Sequence, residues 1–103
     1  MSGKRPRIQR RVEERAARKL VRDKERLFEL SVGGSQERPI EVPSTSVIEL
    51  RVEDMMPCIQ CTGQYRIRAH EAPASGVRRV DVTCRHCGAP RSLWFRIVSD
   101  EPN

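Results

Sequence analysis

The stretches Cys58-Ile-Gln-Cys61 and Cys84-Arg-His-Cys87 decide what this chain can fold into. They contain all four cysteines of the sequence, as two C-x-x-C pairs. A gap of two residues lets one turn of chain present two sulfurs to one ion, and a second pair completes the tetrahedral thiolate set that zinc prefers. The spacing therefore predicts a single zinc ion bound by Cys58, Cys61, Cys84 and Cys87. Two disulfides, or four reduced thiols, are the alternatives.

The residues around the two pairs fit tight turns at a metal. Gly88 follows the second pair directly, where such a turn needs a positive φ or a close approach of the backbone to sulfur. Thr62 occupies the matching position after the first pair, and Gly63 comes one residue later. Pro57 and Pro90 restrict φ at the edges of the turns. We therefore expect two similar turns, each followed by a strand.

The segments Pro57-Cys58-x-x-Cys61-x-Gly63 and Cys84-x-x-Cys87-Gly88 resemble the zinc ribbon, and specifically the small bacterial proteins that carry one. The resemblance covers roughly residues 46–99. It implies a small antiparallel β-sheet with two cysteine knuckles and one structural zinc ion. Because zinc ribbons occur in transcription, translation and protein-adaptor roles, the resemblance narrows the function only weakly.

The rest of the chain divides around this segment, and the whole is expected to be a small α+β protein. With 37% hydrophobic and 4% aromatic residues, it cannot build a large core, so a metal would contribute to folding. Residues 1–10 are expected to be a disordered basic tail, 11–31 an amphipathic helix, 32–45 a linker, 46–99 the ribbon and 100–103 a tail. Within the linker, Ile40 and Val42 could form a short edge strand, and Gly33-Gly34 is a plausible stop for the helix.

The excess positive charge is concentrated in the helical segment. Residues 1–30 contain eleven Lys and Arg against five Asp and Glu, whereas residues 31–103 contain nine of each. Such asymmetry suggests a basic arm that meets an acidic partner, most often nucleic acid. A solvated charged face is the competing interpretation. At helical spacing, one stripe holds the arginines that are candidates for phosphate contacts: Arg11, Arg15, Arg18 and Arg22.

The helix also has an apolar stripe, which we expect the fold to cover. Its members are Val12, Ala16, Leu20, Leu27 and Leu30, and it is widened on one side by Ala17, Val21 and Phe28. The neighbourhood of Trp94 and Val98 is a candidate to receive it, which would place the indole in a second small core under the helix.

Period-two alternation predicts four strands within residues 46–99, beginning with Ile48, Leu50 and Val52 on one face. Ala72–Gly76 is predicted to be the turn of a hairpin between the second and third strands. The polar faces of the strands would gather a second set of candidates for nucleic-acid binding: Arg66, Arg68, Arg79, Trp94 and Arg96. An indole beside guanidinium groups can stack a base while the arginines contact phosphates.

The sequence predicts a non-enzymatic protein that binds nucleic acid or a ribonucleoprotein through the basic helix and the sheet face. A four-cysteine site has no open coordination position, and no catalytic constellation accompanies it. A protein-interaction adaptor that uses the apolar stripe, or a rubredoxin-like iron or redox element, is the alternative. His70 and His86 are expected to be surface residues rather than ligands. No stretch has the length of a signal peptide or a membrane span, so we expect a cytoplasmic protein with no membrane and no small-molecule substrate.

Overall fold

The computed structural model describes residues 7–98. Helix α1 is followed by a short strand, a second helix and three longer strands, so the chain is a small α+β protein as predicted. The elements are α1 (Arg7–Glu29), β1 (Ile40–Val42), α2 (Thr45–Met55), β2 (Tyr65–Ala74), β3 (Val77–Cys84) and β4 (Pro90–Ile97). Residues 1–6 of the predicted N-terminal tail, residue 99 of the predicted ribbon and the predicted tail 100–103 lie outside the described residues, whereas residues 7–10 of the expected N-terminal tail are helical.

The four strands form one open mixed sheet with the order β1-β4-β3-β2. Strands β2, β3 and β4 are antiparallel, as alternation predicted, and β2 and β3 form the expected hairpin. Its turn is tighter than predicted, because β2 continues to Ala74 and Gly76 takes a φ of 73°. The edge strand at Ile40 and Val42 is confirmed, but it runs parallel to β4. The sheet is therefore not the purely antiparallel ribbon that we expected.

The predicted first strand is wrong, since residues 45–55 form helix α2. Ile48 and Val52 are four residues apart, so they share one face both in a strand and in a helix, and periodicity did not separate the two. Leu50 distinguishes the helix from the strand. A strand would bury this side chain beside Ile48, whereas here it is 61% exposed. Ser44 is the N-cap residue of this helix. It follows Pro43 and has extended backbone angles.

The core lies between α2 and one face of the sheet, which we call the inner face. Ile48 and Val52 of α2 are buried against the sheet together with the side chains that alternate inward along the strands. Those inward side chains, together with two of the cysteines, complete the core: Val42, Cys58, Tyr65, Val80, Val82, Cys84, Leu93 and Phe95. The cysteine pairs thus adjoin the hydrophobic core.

A bulge in β2 changes which of its residues face inward. The register with β3 shifts between Ile67 and Ala69, so His70 lies opposite buried Val80 rather than on the outer face. Its Nδ1 atom is 3.5 Å from a carboxylate oxygen of Glu49 in α2. The expectation that His70 alternates outward is therefore wrong, because simple alternation cannot see a bulge.

Helix α1 begins four residues before the predicted start and ends at Glu29, two residues before the predicted end. The predicted stop at Gly33-Gly34 lies four residues beyond this end, in the turn that follows the helix, where Gly33 has a φ of 91°. A Cβ atom there would lie 2.7 Å from the Ile40 side chain, so a larger residue would require Ile40 to shift. None of the helices in the described part of the chain has the length and apolar character to cross a membrane.

Candidate metal centre and basic helix

The two cysteine pairs converge on one point. The first pair lies between α2 and β2, and the second spans the end of β3 and the turn before β4. The Sγ atoms of all four cysteines lie within 4.8 Å of one another. Cys58 and Cys87 are 3.8 Å apart, and Cys61 and Cys84 are 3.4 Å apart. A tetrahedral ion with metal–sulfur distances of about 2.3 Å requires sulfurs about 3.8 Å apart. The cluster therefore has the size of a four-thiolate metal site, and neither His70 nor His86 belongs to it.

The two turns that carry the cysteines have the same backbone hydrogen bonds. In the first cysteine turn (58–63), Thr62 N–H donates to the Cys58 carbonyl at 2.8 Å and Cys58 N–H donates to Gly63 O at 2.8 Å. In the second cysteine turn (84–89), Gly88 N–H donates to the Cys84 carbonyl and Cys84 N–H donates to Ala89 O, both at 3.0 Å. The loose repeat seen in the sequence is thus a structural repeat.

The residue after each pair has left-handed backbone angles. Gly88 has a φ of 76°, and Thr62 has a φ of 64° at the matching position. Threonine is strained there, because its branched Cβ crowds the backbone at positive φ. Gly63 is required for a different reason: a Cβ atom on it would lie 3.0 Å from Cys84 Sγ and 2.8 Å from the Cβ of His86.

Backbone N–H groups point at the sulfurs and bias their ionisation. The N–H groups of Cys87 and His86 approach Cys84 Sγ at 3.4 and 3.3 Å and lower the pKa of this thiol to about 6. The Gly63 N–H also favours ionised Cys61, but burial and the neighbouring Cys84 sulfur raise the pKa of Cys61 to about 12. The thiols therefore ionise unequally, and a bound cation is what would hold four thiolates together.

Arg85 and Arg91 are close in sequence to the second cysteine pair, where a positive charge would offset the negative charge of a zinc–thiolate centre. Arg85 is exposed, and its backbone N–H donates to Gln64 O. Arg91 is 7% exposed and acts on the first cysteine turn through Tyr65. Its Nε donates to the Tyr65 hydroxyl at 2.9 Å, and this hydroxyl also accepts the N–H of Ile59 at 3.3 Å.

The same arginine connects the metal centre to α1. Its two terminal nitrogens each donate to one oxygen of Glu25 at 2.6 Å. Gln60 lies between the first two cysteines, and its side-chain amide donates to Glu25 and to the backbone carbonyl of Val21. The backbone carbonyl of Gln60 accepts from Lys24 Nζ. Sequence reasoning missed this network. The available signal was that Arg91 is in phase with inward-facing Leu93 and Phe95.

Phe28 is the apolar contact between α1 and the body of the protein. It packs against the core, and the Arg91 guanidinium lies 4.7 Å from its ring centroid. Trp94 does not receive the helix, because it lies on the opposite, outer face of the sheet beside Arg79. The helix therefore docks through the side that contains Glu25 and Phe28, at one margin of the apolar stripe, and the rest of the stripe is exposed. Side chains of Val12, Leu20, Leu27 and Leu30 are 56% to 66% exposed.

The predicted arginines of α1 are brought together along one exposed face of the helix. Because α1 begins at Arg7, this residue extends the row, which we call the arginine row: Arg7, Arg11, Arg15, Arg18 and Arg22. Arg18 makes a long contact of 3.9 Å to Glu14, with both side chains exposed. No carboxylate of residues 7–98 pairs with the other four.

The predicted arginines of the sheet have a different environment. Arg66 and Arg68 are exposed at the β2 edge. Arg79 contacts Glu71 and Asp81 and covers Trp94, with its guanidinium carbon 5.9 Å from the ring centroid. Arg96 is paired with Glu41 at 2.6 Å. Arg79 and Arg96 of the outer face are thus paired with carboxylates, and Arg79 also lies over the Trp94 ring.

Comparisons of the chain with protein-family models, with curated proteins and with solved structures found no match. The resemblance to the zinc ribbon is therefore supported by the four-cysteine cluster, while membership of that family is not confirmed. The functional argument depends on the geometry of the cysteine turns and of α1.

Proposed function

We propose that this chain is a structural-zinc protein that binds nucleic acid through the arginine row of α1. One observation carries the proposal: five arginines lie on one exposed helix face, and only one of them has a carboxylate contact within the described residues. Guanidinium groups remain charged at every physiological pH and match phosphate geometry with paired donors. Phosphate contacts of this kind supply affinity without reading sequence.

Zinc is the metal that the donor set favours. Four soft thiolates at tetrahedral spacing suit zinc, and they leave no position for water or substrate, so the metal's role would be to hold the fold. Iron in a rubredoxin-like site is the competing assignment. Elemental analysis of purified protein should find one zinc per chain, whereas visible colour would indicate iron. A Cys84→Ser protein that retains stoichiometric metal and melts like the parent would refute the site.

The nucleic-acid proposal is tested by a salt titration of binding to mixed RNA and DNA probes. Reversing Arg15 and Arg18 to Glu should weaken binding and flatten its salt dependence, while zinc content stays at one per chain. The matched control reverses Arg66 and Arg68, which gives the same change in net charge at the edge of the sheet. Equal losses from both double variants would show that net charge, and not the arginine row, governs binding.

A protein-interaction adaptor is the second candidate, and the exposed apolar stripe favours it. Such a stripe could pack into a partner's groove at helical spacing. Under this alternative, Leu20→Asp or Leu27→Asp would abolish partner binding and the arginine reversals would have little effect. If the parent protein binds no nucleic acid at low salt, the leading proposal is wrong and the adaptor takes its place.

A further inference from the structure

We propose that the nucleic acid is double-stranded DNA and that the exposed N-terminal part of α1, residues 7–20, lies in its major groove. This inference rests on the proposed function, and it specifies the form of the ligand. Three observations support it: where the aromatic side chains are, how the arginine row is held, and how far α1 extends from the body of the protein.

Proteins that bind single strands usually stack the bases on exposed aromatic rings. The sequence has four aromatic residues, and each of them is buried or partly buried. Tyr65 and Phe95 are buried in the core. Phe28 packs against the core and faces the guanidinium of Arg91, and Trp94 is half-buried beside Arg79. No aromatic ring of the described residues is fully exposed for base stacking, which favours the backbone phosphates as the target.

The arginine row is a regular array whose spacing is set by the helix. At 3.6 residues per turn its five members fall within an arc of about 80° and extend over about 22 Å of helix axis. A DNA duplex is also rigid, and it presents one charge per about 1.7 Å of its axis. A single strand has about half that charge density, and it would have to lose conformational freedom to follow the row. The match of two preformed arrays favours the duplex.

The exposed N-terminal part of α1 has the size of a groove-binding element. Among residues 7–98, the hydrogen bonds that join α1 to the body begin at Val21, whose carbonyl accepts from Gln60, and residues 7–20 are classed as exposed. This exposed part is about 21 Å long and, with side chains, about 10–12 Å wide. The major groove of B-form DNA is about 12 Å wide and admits a helix. The major groove of duplex RNA is narrow and deep, so it would exclude α1.

The test measures fluorescence anisotropy with the full-length, zinc-loaded protein and a DNA duplex of about 16 base pairs, about 54 Å long. The probes for comparison are each strand alone and an RNA duplex of the same sequence. We expect the DNA duplex to bind most tightly, with a salt slope of about −4.5, because each of five arginines displaces about 0.9 of a counterion. Arg15→Lys/Arg18→Lys should retain most of the affinity, and Arg15→Glu/Arg18→Glu should lose it.

The outcomes separate this inference from the function on which it rests. Equal or tighter binding of a single strand would overturn the duplex assignment and leave nucleic-acid binding intact. Equal or tighter binding of the RNA duplex would overturn the placement of α1 in a B-form major groove. Failure to bind any of the probes at low salt would overturn the proposed function itself.

Discussion

The Arg91 guanidinium and the Glu25 carboxylate face each other through two hydrogen bonds of 2.6 Å, although 66 residues separate them in the chain. The arginine side chain is 2% exposed, whereas the glutamate side chain is 39% exposed. A buried charge with one partner is costly to leave alone, because the remaining ion cannot regain its hydration. This pair therefore determines where α1 sits relative to the metal centre.

Removing one partner should cost more than removing both. We expect Glu25→Ala to lower the free energy of unfolding by about 1–3 kcal/mol, at the low end of the range for buried pairs because the carboxylate reaches solvent. The double variant Glu25→Ala/Arg91→Met should recover part of this loss, since no unpaired charge remains. Urea unfolding of the zinc-loaded proteins measures both. A double variant that is no more stable than Glu25→Ala would contradict the argument.

Acid should loosen the attachment of α1. The hydrogen bonds from Arg91 hold the pKa of the Glu25 carboxyl below its ordinary value of 4.5, despite an opposing contribution from burial. A group with a lowered folded-state pKa stabilises the fold above its unfolded pKa and loses that effect as the pH falls through the folded value. The contribution of this pair is therefore complete above about pH 4.5 and declines below it. The fluorescence of a label on α1, compared between parent and Glu25→Gln, should differ above pH 4.5 and converge below it.

The two cysteine turns offer a matched pair of backbone variants. Thr62→Gly should stabilise the protein by about 0.5–1 kcal/mol, because glycine removes the strain at a φ of 64°. The lost hydrogen bond from the Thr62 hydroxyl to the Cys61 carbonyl limits the gain. Gly88→Thr should destabilise by about 1–2 kcal/mol, although a Cβ atom there has no neighbour within 4 Å. Thermal unfolding measures both, and equal shifts of the same sign would contradict the assignment.

Gly63 should matter for the metal more than for the fold. A Cβ atom at this position would lie 3.2 Å from Cys61 Sγ and 3.0 Å from Cys84 Sγ. We expect Gly63→Ala to weaken zinc affinity about tenfold or more, in the range typical of changes beside metal ligands. Gly88→Ala is the control, because it strains the backbone without crowding sulfur. Competition with a chromogenic zinc chelator measures both affinities, and similar losses would show that backbone strain alone is responsible.

Helix α2 can be verified with two neighbouring side chains. Ile48→Ala should cost about 2–4 kcal/mol, because it opens a cavity in the core. Leu50→Ala should change stability by less than about 0.5 kcal/mol, because the side chain is exposed. A strand would bury both residues on one face and make the two losses similar. Chemical unfolding of the two variants therefore distinguishes the helix from the predicted strand.

The sequence predicted best where spacing alone sets the chemistry. Cys58, Cys61, Cys84 and Cys87 converge as expected, because a gap of two residues fixes which atoms can meet. The strand at Ile48 was wrong because two periodicities share residues 48 and 52. The direction of α1 could not be predicted, since Glu25 and Arg91 are an ordinary surface glutamate and a strand arginine until the fold brings them together. The exposure of the apolar stripe could not be predicted either. A polar network around Glu25 and Arg91, which the sequence did not reveal, holds α1 against the body where we expected apolar packing.

The parallel pairing of β1 with β4 has a consequence for the order of folding. Ile40 lies opposite Phe95, so the first strand has no neighbour in the sheet until the last strand has been made. Such long-range pairing slows folding, because a large loop must close first. Cys84 and Cys87 immediately precede β4, and their capture by a metal would bring that strand to its place between β1 and β3. The availability of zinc at that moment would then govern how fast the newly synthesised chain reaches its final form.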